Sequence, residues 1–434
     1  MKAKKLIEVA MPIKEISTES VRDKYIHEGH ISTLHIWWAR RPLALSRAVV
    51  FASLVDDPLD PNCPVVFRDA VRTLLSGHIY RPYKDIPYTA AYDPVEDNER
   101  NRLLCFIGQF SSVVQAQMLR GENVTSKDLL SSSSLIKWEN KNNISIIRLA
   151  QKLLWISHNS NTTKGLEELC DDFDRAINRI DQLEENLYSI PNRHLGGSQI
   201  EAAEKELHDA IMAFQNSMPS VFDPFAGGGA IPLEAARLGC KSYGNDINPV
   251  AHVIERASAE YPQKYGKPLI ISQECFDELY GREGYELLDN HKITFDNTYY
   301  HIPNRLAFDV DYYCRRLLNM TEAQIGDYYQ PNEKGEKPVV YYWARTVECG
   351  NPSCRARIPM LKQFYLSNKK GKQIYLNPII KGNSIEFSLG YGRCEHPGWN
   401  NRGNITCPCC GNVTDIDEVK RQSNNGGLKD RLIA

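Results

Sequence analysis

The sequence contains no uninterrupted apolar run near the roughly 18 residues that a membrane-spanning helix needs. Its start, Met1-Lys2-Ala3-Lys4-Lys5 followed by Glu8, Lys14 and Glu15, lacks the apolar core of a secretory leader. Both absences predict a cytoplasmic protein with no membrane partner. Compositional bias is lacking too: 42% hydrophobic and 24% charged residues over 434 positions exclude a disordered or fibrous chain. The length predicts roughly two to four domains with ample core, which excludes a small disulfide-stapled scaffold.

Charge of either sign is nearly balanced, at −2 overall, but unevenly spread. Residues 1–50 carry 9 Lys/Arg against 5 Asp/Glu, and residues 331–434 carry 16 against 9, which leaves 27 against 40 between them. Two basic ends around an acidic middle predict that a polyanionic partner touches the ends.

Residues 1–57 read as an N-terminal block with a helix over 43–54 started by Pro42. Residues 58–95 hold six prolines and read as an irregular connection; from 98 to 217 the apolar spacing is helical, so 58–217 forms a mostly helical insertion. Ser131–Ser134 and Asn159–Thr163 read as surface loops. At Pro219 the pattern changes. Ser220-Val221-Phe222 is a strand, Asp223-Pro224-Phe225-Ala226-Gly227-Gly228-Gly229 a turn, Ala230 to Leu238 a helix and Cys240 to Gly244 a second strand, which makes a βαβ unit. A helix from Pro249 to about Glu260 follows, then a turn-rich aromatic stretch, so 218–330 forms a third region and 331–434, strand-prone and dotted with cysteine, a fourth.

A glycine turn between strand and helix lets backbone approach a ligand closely. The Gly-Lys-Ser/Thr of a phosphate-cradling loop is missing, since Gly229-Ala230-Ile231-Pro232 follows, and so is G-x-G-x-x-G. A carboxylate, Asp223, stands at the mouth of the turn, where it repels a pyrophosphate and attracts an amine. A second, Asp246, lies 17 residues beyond Gly229 at the end of the next strand, where a carboxylate accepts two ribose hydroxyls. S-adenosylmethionine meets both requirements. Asp223 to Gly229 resembles the D-P-F-x-G-x-G signature of class I amino-methyltransferases acting on DNA or RNA, and Gly244-Asn245-Asp246-Ile247-Asn248-Pro249 resembles their acidic strand end.

Twelve cysteines with no export leader argue for metal or reduced thiols over disulfides. Six of them, Cys349, Cys354, Cys394, Cys407, Cys409 and Cys410, crowd into 62 positions. Cys349-Gly350-Asn351-Pro352-Ser353-Cys354 and Cys407-Pro408-Cys409-Cys410-Gly411 are tight turns that can close a four-thiolate structural zinc site through Cys349, Cys354, Cys407 and Cys410. Cys394, His396 or Cys409 remains open as a substitute ligand. The 52-residue spacer is basic, with Lys362, Lys369, Lys370, Lys372, Lys381, Arg393 and Arg402 among Phe364, Tyr365, Tyr375, Phe387 and Tyr391, a strip suited to a nucleic-acid backbone.

With these motifs the chain resembles the zinc-ribbon-containing adenine-specific DNA methylases, a family whose N-terminal block is catalogued as domain of unknown function 1156. The likeness is carried by Gly29-His30 with Thr33 to Leu43, by the Asp223 and Asp246 motifs, and by Tyr342-Trp343-Ala344-Arg345-Thr346-Val347 leading into Cys349. It implies an α/β fold, a Rossmann-like parallel sheet of the class I methyltransferase kind, incomplete here, with helical and zinc-ribbon insertions. It also implies a cofactor site of Asp223, Phe225, Ala226, Gly227, Gly229, Asp246, Ile247 and Trp38, the Trp37-Trp38 segment closing over the methionine end, and double-stranded DNA as substrate. One element of that family is absent. The D/N/S-P-P-Y/F/W tetrapeptide that holds the target amine and stacks on the extruded base occurs nowhere; Asp93-Pro94-Val95, Asn248-Pro249-Val250 and Asn377-Pro378-Ile379 each lack the second proline. In the family that motif follows the ribbon, and this chain stops about twenty residues past Cys410. The expectation is therefore the N-terminal part of an adenine-N6 DNA methyltransferase of a restriction-modification or phage-defence system, with no catalytic residue of its own and a complementing C-terminal half. The alternatives are a catalytically silent DNA-binding subunit and an RNA base methyltransferase.

Overall fold

The computed structural model describes residues 2–77, 97–122, 124, 129–191, 198–329, 331, 335, 337 and 340–434. The chain divides into two compact units, Met1–Arg316 and Leu317–Ala434.

The first unit opens with α1 (Ile13–Asp23), α2 (Leu43–Leu54) and α3 (Val65–Leu74). Pro42 stands at the N-cap of α2, where its missing N–H is no loss, and α2 buries residues almost all round: Leu43, Ala44, Ala48, Phe51 and Ala52, but also Ser46 and Arg47. Among its described residues the proline-rich stretch is less irregular than its composition predicts, because Pro64 caps α3 within it. Residues 78–96, Asp93-Pro94-Val95 among them, lie outside the described residues.

The helical insertion holds α4 (Glu99–Ile107), α5 (Ser112–Leu119), α6 (Ile144–Asn159), α7 (Leu166–Ser189) and α8 (Ser198–Asn216). Asn98, Ser111 and Asn143 start the first three by accepting a backbone N–H three residues on. Trp155 of α6, Phe173 of α7 and Phe214 of α8 join those helices, with ring centroids 5.5 to 5.9 Å apart. The Ser131–Ser134 run is only partly surface: Ser134 is buried, and its hydroxyl takes the Gln109 N–H at 3.1 Å.

β1 (Ser220–Asp223), α9 (Ala230–Arg237) and β2 (Lys241–Gly244) form the expected βαβ unit, β1 and β2 parallel with Phe222 opposite Tyr243. α10 (Pro249–Glu255) continues into a π-helical turn, Arg256–Glu260, and α11 (Tyr261–Tyr265). The stretch expected to be turn-rich is instead β3 (Leu269–Ser272), α12 (Gln273–Tyr285), the hairpin of β4 (Thr294–Phe295) and β5 (Tyr299–Ile302), and α13 (Arg305–Ile325), inside which the boundary between the units falls. Its aromatic residues are a core: Phe276, Tyr280, Tyr300, Phe308 and Tyr312 pack on Leu269, Ile271 and Ile302. β3 pairs antiparallel with β5, so among the described residues the parallel sheet has two strands and the fold is mixed α/β with small sheets.

In the second unit, β6 (Trp343–Glu348) lies between β7 (Arg357–Pro359) and the last strand, β14 (Lys429–Leu432). β8 (Tyr365–Lys369), β9 (Lys372–Lys381) and β10 (Ser384–Tyr391) make an antiparallel meander, and β11 (Asn400–Asn401), β12 (Asn404–Thr406) and β13 (Val413–Thr414) a third sheet, followed by α14 (Ile416–Asn424). No helix among the described residues is long and apolar enough to cross a membrane.

Candidate cofactor cleft and cysteine cluster

The turn after β1 is built from backbone bonds to β2 and to its own carboxylates. Asp223 Oδ1 accepts the Phe225 N–H at 3.0 Å, and the Ala226 N–H donates to the Asn245 carbonyl at 3.0 Å. Asp246 joins both halves: Oδ2 accepts the Gly227 N–H and Oδ1 the Asn248 N–H, each at 2.9 Å. An ionised carboxylate has about four acceptor sites, so Asp246 keeps capacity for ligand hydroxyls after these two bonds. Gly227 and Gly229 have φ of 54° and 77°, the left-handed region where a side chain is strained. Gly229 is the N-cap of α9, which aims that helix's free N–H groups at the turn.

The segment before α2 lies over this turn. A Cβ on Gly227 would sit 2.6 Å from Trp37 Nε1, and one on Gly228 3.2 Å from Trp37 Cβ. The ring against the glycines is thus Trp37, whereas Trp38, expected to line the site, is 90% exposed and contacts the Trp37 ring at 5.4 Å. Between them lies a cleft of about 80 Å³ edged by Ile31, His35, Trp37, Arg40 and Arg41 on one side and Asp223, Phe225, Gly227 and Asp246 on the other. Ala226 is buried in its wall, while Phe225 and Ile247 stand 78% and 96% exposed beside it. Sites for drug-sized ligands span roughly 300–1,000 Å³, so a nucleoside cofactor enters only if the Trp37 segment moves outward.

Buried polar contacts hold that segment. Arg47 on α2 donates from Nε to Glu234 Oε2 on α9 at 2.5 Å and from Nη1 to the Leu135 carbonyl at 2.8 Å, and both side chains are fully enclosed. Arg237 reaches the same carboxylate at 3.3 Å. On α1, Glu15, Glu19 and Asp23 recur at four-residue spacing on a buried face. Glu19 Oε1 takes the Trp138 N–H at 2.8 Å, and burial holds its carboxyl above the usual range. Asp23 Oδ2 takes the Leu43 N–H at 2.8 Å, and its Oδ1 lies 2.6 Å from His30 Nε2. His30 Nδ1 accepts the Ser32 N–H at 3.0 Å, which assigns the ring proton to Nε2, facing Asp23. The His30 ring stacks on Trp138, centroids 5.3 Å apart.

One residue packed behind the glycine turn was not expected from sequence. Glu255 ends α10 beneath the turn: a Cβ on Gly229 would lie 3.3 Å from its Cγ, and one on Gly244 3.0 Å from its Oε2. Its signal was weak, a carboxylate sharing the apolar face of Ala251 and Ile254.

In the second unit, Cys349 and Cys354 flank the β6–β7 turn, and Cys407 and Cys410 the β12–β13 turn. The four sulfurs lie within 4.8 Å of one another, with Cys349–Cys410 at 3.6 Å and Cys354–Cys407 at 3.8 Å. A tetrahedral centre with sulfurs at about 2.3 Å requires edges of about 3.8 Å, and a disulfide about 2.05 Å. The cluster can hold a metal ion and is consistent with zinc. Each pair is followed by a left-handed residue, Arg355 (φ 49°) and Gly411 (φ 76°). Cys409 and Cys394 stand outside this group, and His396 Nε2 faces Asn377 Oδ1 at 3.0 Å. Burial pushes the Cys349 thiol up to about 12, while the Asn412 N–H brings Cys410 down to about 7. Of the aromatic strip, Phe364 is core against Trp399, centroids 5.0 Å apart, and Tyr391 is 72% exposed.

A family model described as a protein of unknown function (DUF1156) matches residues 10–71, the stretch that holds α1, the Trp37 segment, α2 and most of α3. No curated protein and no solved structure matches the chain.

Proposed function

We propose that the chain is the cofactor-binding and DNA-contacting part of an adenine-N6 DNA methyltransferase of a restriction-modification or phage-defence system. The observation that carries this reading is the parallel strand–glycine turn–helix–strand unit with a carboxylate at each strand end, bridged by the bond from the Gly227 N–H to Asp246. Asp246 holds the ribose hydroxyls of S-adenosylmethionine on its remaining lone pairs, and Asp223 faces the ammonium. Phe225 and Ile247 offer apolar surface to the base, and Trp37 closes the methionine end once the cofactor is in. The cofactor supplies an electrophilic methyl group; the protein contributes position and exclusion of water.

Cys349, Cys354, Cys407 and Cys410 hold a structural Zn²⁺ with no open position for chemistry. Lys369, Lys370 and Lys372, in and beside the β8–β9 turn, contact the DNA backbone. The tetrapeptide that seats the target adenine comes from sequence outside these 434 residues. Two features support a complementing polypeptide: among the described residues β1 pairs only with β2, and Phe222 and Tyr243 stand exposed side by side on that sheet, whereas parallel sheets are normally covered on both faces.

Calorimetric titration with S-adenosylmethionine tests the reading. The wild-type chain binds, and Asp246→Asn loses roughly 1–3 kcal/mol, the range for hydrogen bonds to a charged group. No binding by the wild type overturns it. It would favour the second reading, a catalytically silent DNA-binding subunit, which the small volume of the cleft supports. Methyl transfer to DNA by this chain alone is not expected.

A further inference from the structure

The carboxylate of Glu255, packed behind the glycine turn, has an oxygen whose bonding is unaccounted for. The residue is 9% exposed, and its Oε1 is buried with no hydrogen-bond partner among the described residues. An unsatisfied buried carboxylate is costly and demands a reason. Its surroundings are the Gly229 and Gly244 backbone, Pro232, Ala226 and the Ser258 hydroxyl. The helix carrying it departs from α-geometry directly afterwards, in the π turn Arg256–Glu260, a distortion common at functional sites.

Its electrostatic setting points the same way. Asp246 and Asp223, at the ends of β2 and β1, oppose its ionisation together with burial, and His252 on its own helix favours it. Beyond Asp223, the glycine turn and α9 present Ala226 and Pro232 near it. Three carboxylates thus converge, with Arg40 and Arg41 lining the opposite side of the cleft from Asp223 and Asp246 and His252 beside Glu255.

We infer that Glu255 is a positioning residue acting from behind the glycine turn, a third carboxylate that offsets the positive charge of the bound ligand and releases its proton when that ligand enters. This rests on the proposed cofactor and deepens it, by making binding proton-linked. In the free protein the Glu255 carboxyl keeps its proton to higher pH than an ordinary glutamate. A cationic ligand lowers its affinity for the proton, which leaves to solvent as the carboxylate forms. Affinity therefore rises with pH across this titration, by up to about tenfold per pH unit, the limit for one coupled proton.

The test is calorimetry of the full chain with S-adenosylmethionine over roughly pH 5–8, in buffers of different ionisation enthalpy, which counts the protons released. Wild type should release a fraction of a proton up to roughly one. S-adenosylhomocysteine, which lacks the sulfonium charge, should release fewer. Glu255→Gln should bind roughly 10- to 150-fold more weakly at neutral pH, with the proton release and the pH slope both lost, while Glu255→Asp restores the release. Equal release by the two nucleosides in wild type overturns the inference without recourse to any variant. So does unchanged release in a folded Glu255→Gln. If wild type binds neither nucleoside, the proposed cofactor falls and this role with it.

Discussion

Replacing Arg47 with methionine is the sharpest way to ask whether the N-terminal block is held on the glycine turn by its buried charges. The guanidinium is 1% exposed and its partner carboxylate on Glu234 fully enclosed, so neither group has water as a substitute. Arg47→Met leaves Glu234 with only the longer contact to Arg237 at 3.3 Å and strips the Leu135 carbonyl of its donor. Breaking a buried pair from one side costs about 3–5 kcal/mol, and an orphaned buried carbonyl about 1–3 kcal/mol. Arg237 recovers part of the first term, which places the expected loss near 3–5 kcal/mol in total. The double variant Arg47→Met/Glu234→Leu removes both charges together with their desolvation, so it should return most of the loss and leave roughly the carbonyl term. Urea unfolding followed by far-ultraviolet circular dichroism reports on this unit, where most of the helices lie. A loss below about 1 kcal/mol for the single variant, the level of an exposed pair, would refute the reasoning. A double variant as unstable as the sum of the singles would refute it equally.

Three further outcomes are expected. Cys407→Ser should lower the bound zinc well below one equivalent by metal analysis and loosen the β12–β13 turn to proteolysis, while the helical signal of the first unit is kept. Gly227→Ala forces a side chain into a backbone at φ 54° and 2.6 Å from Trp37 Nε1; it should displace the Trp37 ring, shift tryptophan emission and cost about 1–2 kcal/mol of backbone strain. Glu19 holds its proton more tightly folded than unfolded, because burial raises its carboxyl above 4.5. Its contribution is fully present below that value and is lost as pH rises through the folded one. Thermal melts should therefore show Glu19→Gln gaining on wild type from acid to neutral pH.

The helices were legible in the sequence because a core-facing stripe at a period near 3.6 is a redundant signal: Leu103, Phe106 and Ile107, or Ile147, Ala150, Leu153 and Leu154, each support the same face. The β3–β5–β4 sheet was not, because strands of two to four residues carry no period, and Asn297 and Lys292 at positive φ read as turn composition. Asp223 and Asp246 were legible for a different reason: the glycines fix where backbone turns, and the strand ends that flank them have few places to be. Trp37 and Trp38 could not be told apart, since the segment before Pro42 is irregular and adjacent residues in such backbone have no assigned faces. Glu15, Glu19, Asp23, Arg47, Glu234 and Glu255 were invisible as interior residues because charge in a sequence predicts solvent.

Those buried charges fix how the N-terminal block sits against the glycine turn. Stability alone would be served better by apolar packing, since a buried ion pair barely recovers its desolvation. What apolar packing lacks is direction: Phe51 or Ala48 would tolerate a small rotation of α2, whereas Arg47 to Glu234 and Leu135, and Asp23 to the Leu43 N–H, are satisfied in one arrangement only. Asp23 ties the start of α2 to the end of α1, and Arg47 ties the middle of α2 to α9, the helix that begins at the glycine turn. Trp37 lies in the loop that the Asp23–Leu43 bond closes, a segment with little regular structure of its own. The ends of that segment are therefore fixed by polar contacts while its centre, the part over Gly227 and Gly228, is held mainly by packing. Packing yields at lower cost than a buried ion pair does, so Trp37 can be displaced from Gly227 and Gly228 without unseating α2, whose place the Asp23 and Arg47 contacts fix.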